Sequence, residues 1–313
     1  MIQYLIIQLD DTSISFCHYD NKARARRLIT LDDLKAGILF AMKENLSIQF
    51  VYPDYELPDD YKVIIETIDH SKIVPVDYQD KADVVVFDDW TSFLNYKFDL
   101  EQTYVLRTSK NDLFNNYSSL ADILVKIHRL NVVFTDITSF TEGDFNVYAQ
   151  VLQAISKMID ICFQQGKNPQ LNLLTDRMML DKMNNCNAGW ENVTLAPDGR
   201  FYICPAFYLE GESTAVGNLQ TGLDIRNPQL YRLDYAPLCR ICDAYQCKRC
   251  IYLNEKTTLE VNTPSHEQCV VSHLERNVSR SLLAIIRQSG NTCMKNVEIK
   301  EITYLDPFDI RKK

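Results

Sequence analysis

From residue 2 to residue 175 the chain alternates two textures. Short apolar runs rich in β-branched residues give way to longer stretches whose apolar residues recur every three or four positions. The first texture is that of a buried strand, the second that of a helix with one covered face. Runs at 2–9, 47–52, 73–76, 82–87, 103–107, 131–135 and 170–175 predict strands. Between them, Thr30 with Asp33 three positions on reads as a capping box. The helix it opens would cover Leu34, Ile38, Ala41 and Met42 and stop at Asn45. Pro58 suits the first turn of a second helix carrying Tyr61, Ile64, Ile65 and Ile68. A third is expected over 113–128. A long fourth runs from Asp144 as N-cap to Gly166 just past its end. Its stripe is Tyr148, Val151, Leu152, Ile155, Met158, Ile159 and Cys162, so Cys162 reads as a buried structural thiol.

Strand–helix alternation implies a parallel sheet with helices outside it. The expected class is therefore α/β, as a partial barrel or an open parallel sheet over 1–176. No glycine-rich phosphate loop follows any of these strands, so nothing here signals nucleotide binding.

After Asp176 the texture changes. Strand signals at 191–195 and 200–204 flank the turn Pro197-Asp198-Gly199, a hairpin with Cys186 before it and Cys204 at its end. Gly217-Asn218-Leu219 reads as another tight turn. Ser265 with Gln268 starts a last helix faced by Val270, Val271, Leu274, Val278 and Leu282. Cys269 falls in its first turn, where the helix dipole favours a thiolate. The tail after Gly290 reads as a short strand or arm, and its end, Arg311-Lys312-Lys313, as a solvated charge run. Residues 177–313 are thus expected to form a small cysteine-rich domain.

The chain has 313 residues and ten cysteines; seven lie between Cys186 and Cys269. Cys239, Cys242, Cys247 and Cys250 are separated by gaps of two, four and two. A two-residue gap is what a tight turn needs to aim two thiolates at one metal, as zinc or as an iron–sulfur centre. Disulfides are the competing use. The N-terminus has no basic start and no small-residue cleavage site, and no apolar run approaches a membrane span. A cytoplasmic location follows, where thiols serve metals more often than disulfides. A net charge of −9 argues against nucleic acid. Arg240, Lys248 and Arg249 beside Asp243 make only a weak basic patch.

Other candidates are weaker. Cys17 and His18 are adjacent, so on a strand they point to opposite faces. His266 and His273 flank Cys269 and could each be a spare ligand, but read better as surface histidines. Asp88, Asp89 and Asp136 follow strands and read as solvated loop starts.

The order Cys186, Gly199, Cys204, then Cys239, Cys242, Cys247, Cys250, then Cys269 resembles the SPASM extension of radical S-adenosylmethionine enzymes. The Gly217-Asn218 turn fits that extension too. The departure is in the second group, whose last two gaps are each one residue shorter than the family's. The resemblance implies two 4Fe–4S clusters, one on Cys186, Cys204 and Cys250 and the other on Cys239, Cys242, Cys247 and Cys269. The first would keep an open iron or a non-cysteine ligand. The family's Cys-x3-Cys-x2-Cys loop is missing, since Cys17 is the one cysteine before Cys162. The whole chain, including 34–53, is also similar to CXXX repeat peptide maturases. That similarity implies a precursor peptide and a partner radical S-adenosylmethionine enzyme, with no membrane or nucleic-acid partner. The rival expectation is a zinc-stabilised peptide-binding module without redox chemistry.

Overall fold

A computed structural model describes residues 2–14, 16, 26–78, 81–180, 186–242, 244, 247, 249–290 and 299. Cys17, His18, Asp243, Lys248, Cys293 and most of the tail after Gly290 lie outside the described residues. In chain order the elements are β1 (Tyr4–Gln8), α1 (Leu31–Lys43), β2 (Ser47–Val51), α2 (Asp59–Ile65), β3 (His70–Pro75) and β4 (Val84–Phe87). Then come α3 (Trp90–Asn95), β5 (Thr103–Thr108), α4 (Lys110–Asn116), α5 (Leu120–Leu124), β6 (Arg129–Phe134), α6 (Glu142–Gln164), β7 (Gln170–Leu171) and α7 (Asp176–Met179). The remainder is β8 (Asn192–Leu195), β9 (Phe201–Tyr202), α8 (Pro205–Glu210), β10 (Gly217–Asn218), β11 (Gly222–Leu223), α9 (Ile251–Thr258) and α10 (His266–Gln288). The class is α/β with a cysteine-rich C-terminal region, as the alternation predicts. The chain forms two compact units, residues 1–86 with 186–235 and residues 87–185 with 236–313.

In the first unit β1 to β4 are parallel, each beside its predecessor. On the other flank of β1 lies β8, also parallel, with Leu5 opposite Val193 and Ile7 opposite Leu195. The hairpin partner β9 is antiparallel to β8. Thr30 caps α1 by accepting from Asp33 N at 3.1 Å, as its sequence demands. Gly37, not Met42, completes the covered face of α1; Met42 is 63% exposed. Each residue turns a helix by about 100°, so Met42 has rotated out of the row that Leu34, Ile38 and Ala41 define. A Cβ on Gly37 would sit 2.3 Å from Leu195 Cδ2 on β8.

In the second unit β5, β6 and β7 are parallel. Three predicted elements are corrected here. The helix expected over 113–128 is broken into α4 and α5 by a 3-10 turn at Tyr117–Ser119. Asn115, Asn116, Ser118 and Ser119 are residue types that bond the backbone locally and favour such breaks. The strand expected over 170–175 is only β7. The Asn172 amide takes over the ladder, exchanging 2.9 Å bonds with Val132 N and O, and Thr175 Oγ1 closes a turn on Leu171. The N-cap of α6 is Thr141, not Asp144. Asp144 is the acidic partner of a full capping box and also pairs with Lys110 at 2.8 Å. The stripe on α6 is buried largely as predicted, Cys162 included at 2% exposure. Burial raises the Cys162 thiol above its ordinary pKa.

Helix α10 packs on α6, and its covered face holds part of the expected apolar row together with a polar set that was not expected. Val271, Val278 and Leu282 are buried, but so are Gln268, His273, Glu275, Arg276 and Ser279. Partners explain this. Glu275 accepts from Tyr148 OH at 2.8 Å and faces Arg177 at 3.4 Å; Ser279 donates to Leu174 O at 2.9 Å.

Candidate metal and polar sites

In the first unit, Cys186 precedes β8 and is exposed, and Cys204 follows β9 and is buried. The hairpin between them closes where Ala196 N meets Arg200 O at 3.0 Å and Gly199 adopts a φ of +75°. Tyr202 OH donates to Asp198 at 2.6 Å across that turn. Cys204, in extended conformation, is the N-cap of α8. The turn expected at 217–219 is shifted. Gly217 and Asn218 are strand β10, and the Asn218 carboxamide accepts from Gln220 N and Thr221 N to make the bend.

The C-terminal end of β1 runs into Asp10 and Asp11, which sequence reasoning missed. Asp10 is fully buried. Its Oδ1 accepts from Thr12 N and Thr12 Oγ1, each at 2.8 Å, and its Oδ2 from Tyr55 OH at 2.8 Å. Asp11 accepts from Tyr208 OH. Burial, then the carboxylate beside each ring, raises both phenols well above their ordinary pKa. The Asp-Asp-Thr-Ser run after an apolar strand was the available signal; the tyrosines, 45 and 197 positions away, gave none.

In the second unit, Cys239 and Cys242 lie on one tight turn, with Cys242 N bonded to Cys239 O at 3.1 Å. Ala244 N donates to Cys242 Sγ at 3.3 Å, a bond that favours a thiolate. His273, 4% exposed, places Nε2 at 3.4 Å from the same sulfur. The surface reading of His273 is therefore corrected: its ring is buried because α10 turns that face inward. His266 is partly exposed, packed on Phe145 and 3.8 Å from Glu142. Burial, and then the neighbouring Cys242, push the Cys247 thiol up to about 11, while Arg177 and Arg249 pull the other way. Cys250 is the buried N-cap of α9, and Cys269 sits half-buried in the first turns of α10, whose N-cap Ser265 accepts from Gln268 N. Asp88 and Asp89 are exposed, as expected of loop starts, though Asp89 caps α3 and Asp88 accepts from Arg107; Asp136 is half-buried and accepts from Lys110 N.

The donor chemistry around Cys242 suits a thiophilic metal: clustered thiols, an N–H aimed at sulfur and an imidazole alongside. Among the described residues, no three His, Cys, Asp or Glu side chains already close around one metal position. None of the helices among them is long and apolar enough to cross a membrane.

No family profile and no curated protein sequence matches the chain. Solved structures do. One is histidine-tagged anSMEcpe with bound AdoMet, at TM-score 0.62 and 12% identity over 93% of this chain and 96% of that one. Another is native anSMEcpe with bound AdoMet and the Cp18Cys peptide, at TM-score 0.61 and 12% identity over 93% of this chain and 100% of that one. Both are an anaerobic sulfatase-maturating enzyme of the radical S-adenosylmethionine type with a SPASM domain. At such identity the likeness is one of backbone alone: this chain shares the α/β fold of those structures.

Proposed function

We propose that this chain is an iron–sulfur protein acting in the maturation of a ribosomally made cysteine-repeat peptide, beside a separate radical S-adenosylmethionine enzyme. The observation that carries the reading is a combination. The chain has the fold of a peptide-bound maturase and a knuckled set of thiols, but no three-cysteine loop early in its sequence. Where β1 ends, Asp10 is instead tied down by Thr12 and Tyr55. On this reading residues 1–176 are the platform and peptide-facing part, and 177–313 hold the metal. Cys239, Cys242, Cys247 and Cys269 would hold one centre, with Cys186, Cys204 and Cys250 carried over from the resemblance for another. Such centres supply one-electron transfer or an iron open to a peptide thiolate. The chain's own residues present the thiols, keep water from the buried ones and hold counter-charge nearby in Arg177 and Arg249.

A second reading has one specific observation in its favour. The imidazole beside Cys242 suits zinc as well as iron, which would make the protein a zinc-stabilised peptide-binding module. The test of the first reading incubates the reduced, cluster-loaded protein with S-adenosylmethionine. No 5′-deoxyadenosine is expected from this chain alone. Turnover without a second protein would overturn the accessory role.

A further inference from the structure

The second unit buries a histidine that the thiol pattern does not need. An imidazole only 4% exposed is costly to bury unless its nitrogens are used. His273 places Nε2 at 3.4 Å from Cys242 Sγ, and Ala244 N donates to the same sulfur at 3.3 Å. Both are distances for an N–H bond to sulfur, whose radius exceeds that of oxygen. The ring is held in place from both sides. Arg177 donates to the carbonyl of Ser272, the residue before it, and Tyr148 and Arg177 grip Glu275, two residues after it. Among the described residues no three donors close around one metal position, and a four-iron centre, which spreads four thiolates over four corners, asks for none. It also leaves the imidazole no corner to take. We propose that His273 is a positioning residue of the iron–sulfur centre, its Nε2–H donating to the Cys242 sulfur and raising the centre's reduction potential.

The inference rests on the reading of Cys239, Cys242, Cys247 and Cys269 as the four thiols of an iron–sulfur centre, and adds a role to it. A metal-bound thiolate carries no proton, so Nε2 supplies the hydrogen of this contact. Reduction adds an electron, and the thiolate sulfurs take up part of the added charge. A donor aimed at one of them therefore stabilises the reduced state more than the oxidised one. Ala244 N acts in the same direction, but as a backbone group it stays in every variant. The imidazole is the half of the pair that a substitution removes. Its loss should move the ratio of reduced to oxidised centre about tenfold, which for one electron is about 59 mV.

The full-length protein, purified without oxygen with its iron and sulfide, is taken through a redox titration followed by electron paramagnetic resonance. Cys242→Ala identifies the centre by the signal it removes. In His273→Phe that signal should remain and its potential should fall by about 59 mV. His273→Gln, which keeps an N–H donor, should recover part of the fall. His266→Phe should leave the potential where it was, since His266 packs on Phe145 instead. A change in His273→Phe of less than twofold in the same ratio, about 18 mV, would overturn the inference while leaving the centre in place. So would an equal fall in His266→Phe. A wild type without iron and sulfide, or with no signal that depends on Cys242, would end the iron–sulfur reading and this inference together. A wild-type measurement covers the case in which His273→Phe fails to fold. With ¹⁵N-histidine, the reduced centre should show a weak coupling to one imidazole nitrogen, carried through the sulfur. No coupling, or the strong coupling of a nitrogen bound to iron, would refute the contact.

Discussion

The two compact units differ in what they bury beside their carboxylates. In the first, the carboxylates of Asp10 and Asp11 are met by hydroxyls from Thr12, Tyr55 and Tyr208. In the second, Glu275 of α10 takes a hydroxyl from Tyr148 too, but it also faces the Arg177 guanidinium, and His273 is buried against Cys242. Hydroxyl donors settle a carboxylate without adding a second charge to bury, which suits a closed strand end. Full charges next to thiols are costly to bury and are retained where they hold something. The metal proposal rests on the second unit, where charged groups and thiols are buried together.

Substitutions can break that contrast. The largest effect is expected from Arg177→Ala, which takes the guanidinium away from the buried Glu275 carboxylate. Loss of one partner of a buried pair costs about 3–5 kcal/mol. In denaturant titration the double variant Arg177→Met, Glu275→Leu should recover most of that loss. A single variant within about 0.5 kcal/mol of wild type would show that the second unit does not depend on its charges. Next comes Gly37→Ala in the first unit. The new Cβ would drive α1 off Leu195, at about 1–3 kcal/mol for overpacking. An unchanged melting midpoint would mean that α1 does not press on β8 as closely as described.

Tyr55→Phe tests the first unit's hydroxyls directly. It should cost about 1–2 kcal/mol, less than Arg177→Ala, since one hydrogen bond is lost and no charge pair is broken. There is a pH consequence. The phenol is raised in the folded protein, so its contribution is complete below the ordinary tyrosine pKa and fades as the pH climbs past it. Tyr55→Phe should therefore flatten stability against pH on the alkaline side. A loss that stays constant from neutral pH up to strongly alkaline solution would contradict the Asp10 contact.

The smallest effect is at the start of α6. The Lys110 ammonium, with Thr141, holds the Asp144 carboxyl down to about 2. A depressed acid stabilises above its unfolded pKa, and that contribution is lost as the pH falls from the ordinary aspartate range toward about 2. Asp144→Asn should remove this acid-side slope while leaving helicity at neutral pH nearly unchanged. An acid transition of the same shape in both proteins would discount the capping box.

What the sequence disclosed follows the range of the forces involved. Local rules located α1 through Thr30 and Asp33, α10 through Ser265 and Gln268, and the stripe of α6 through its spacing. Short strands were found but trimmed at their ends, because Asn172 and Thr175 end β7 with side chains that propensity does not weigh. The thiols were visible as a spacing. The polar face of α10 was not, since Glu275 is buried only by virtue of partners such as Tyr148 and Arg177, 127 and 98 positions away. His273 was read as a surface residue for the same reason: its neighbour Cys242 lies 31 positions upstream, and no periodicity links them.

The proposal stands on the thiols of the second unit holding an iron–sulfur centre, so the most direct measurement is metal and sulfide content. The full chain is purified without oxygen and assayed for iron, acid-labile sulfide and zinc, beside Cys242→Ala and Cys269→Ala. Iron and sulfide in equal amounts are expected, about four of each per filled centre, with a clear loss in both variants. Zinc at about one per site with no labile sulfide, or iron and sulfide unaffected by either substitution, would contradict the account.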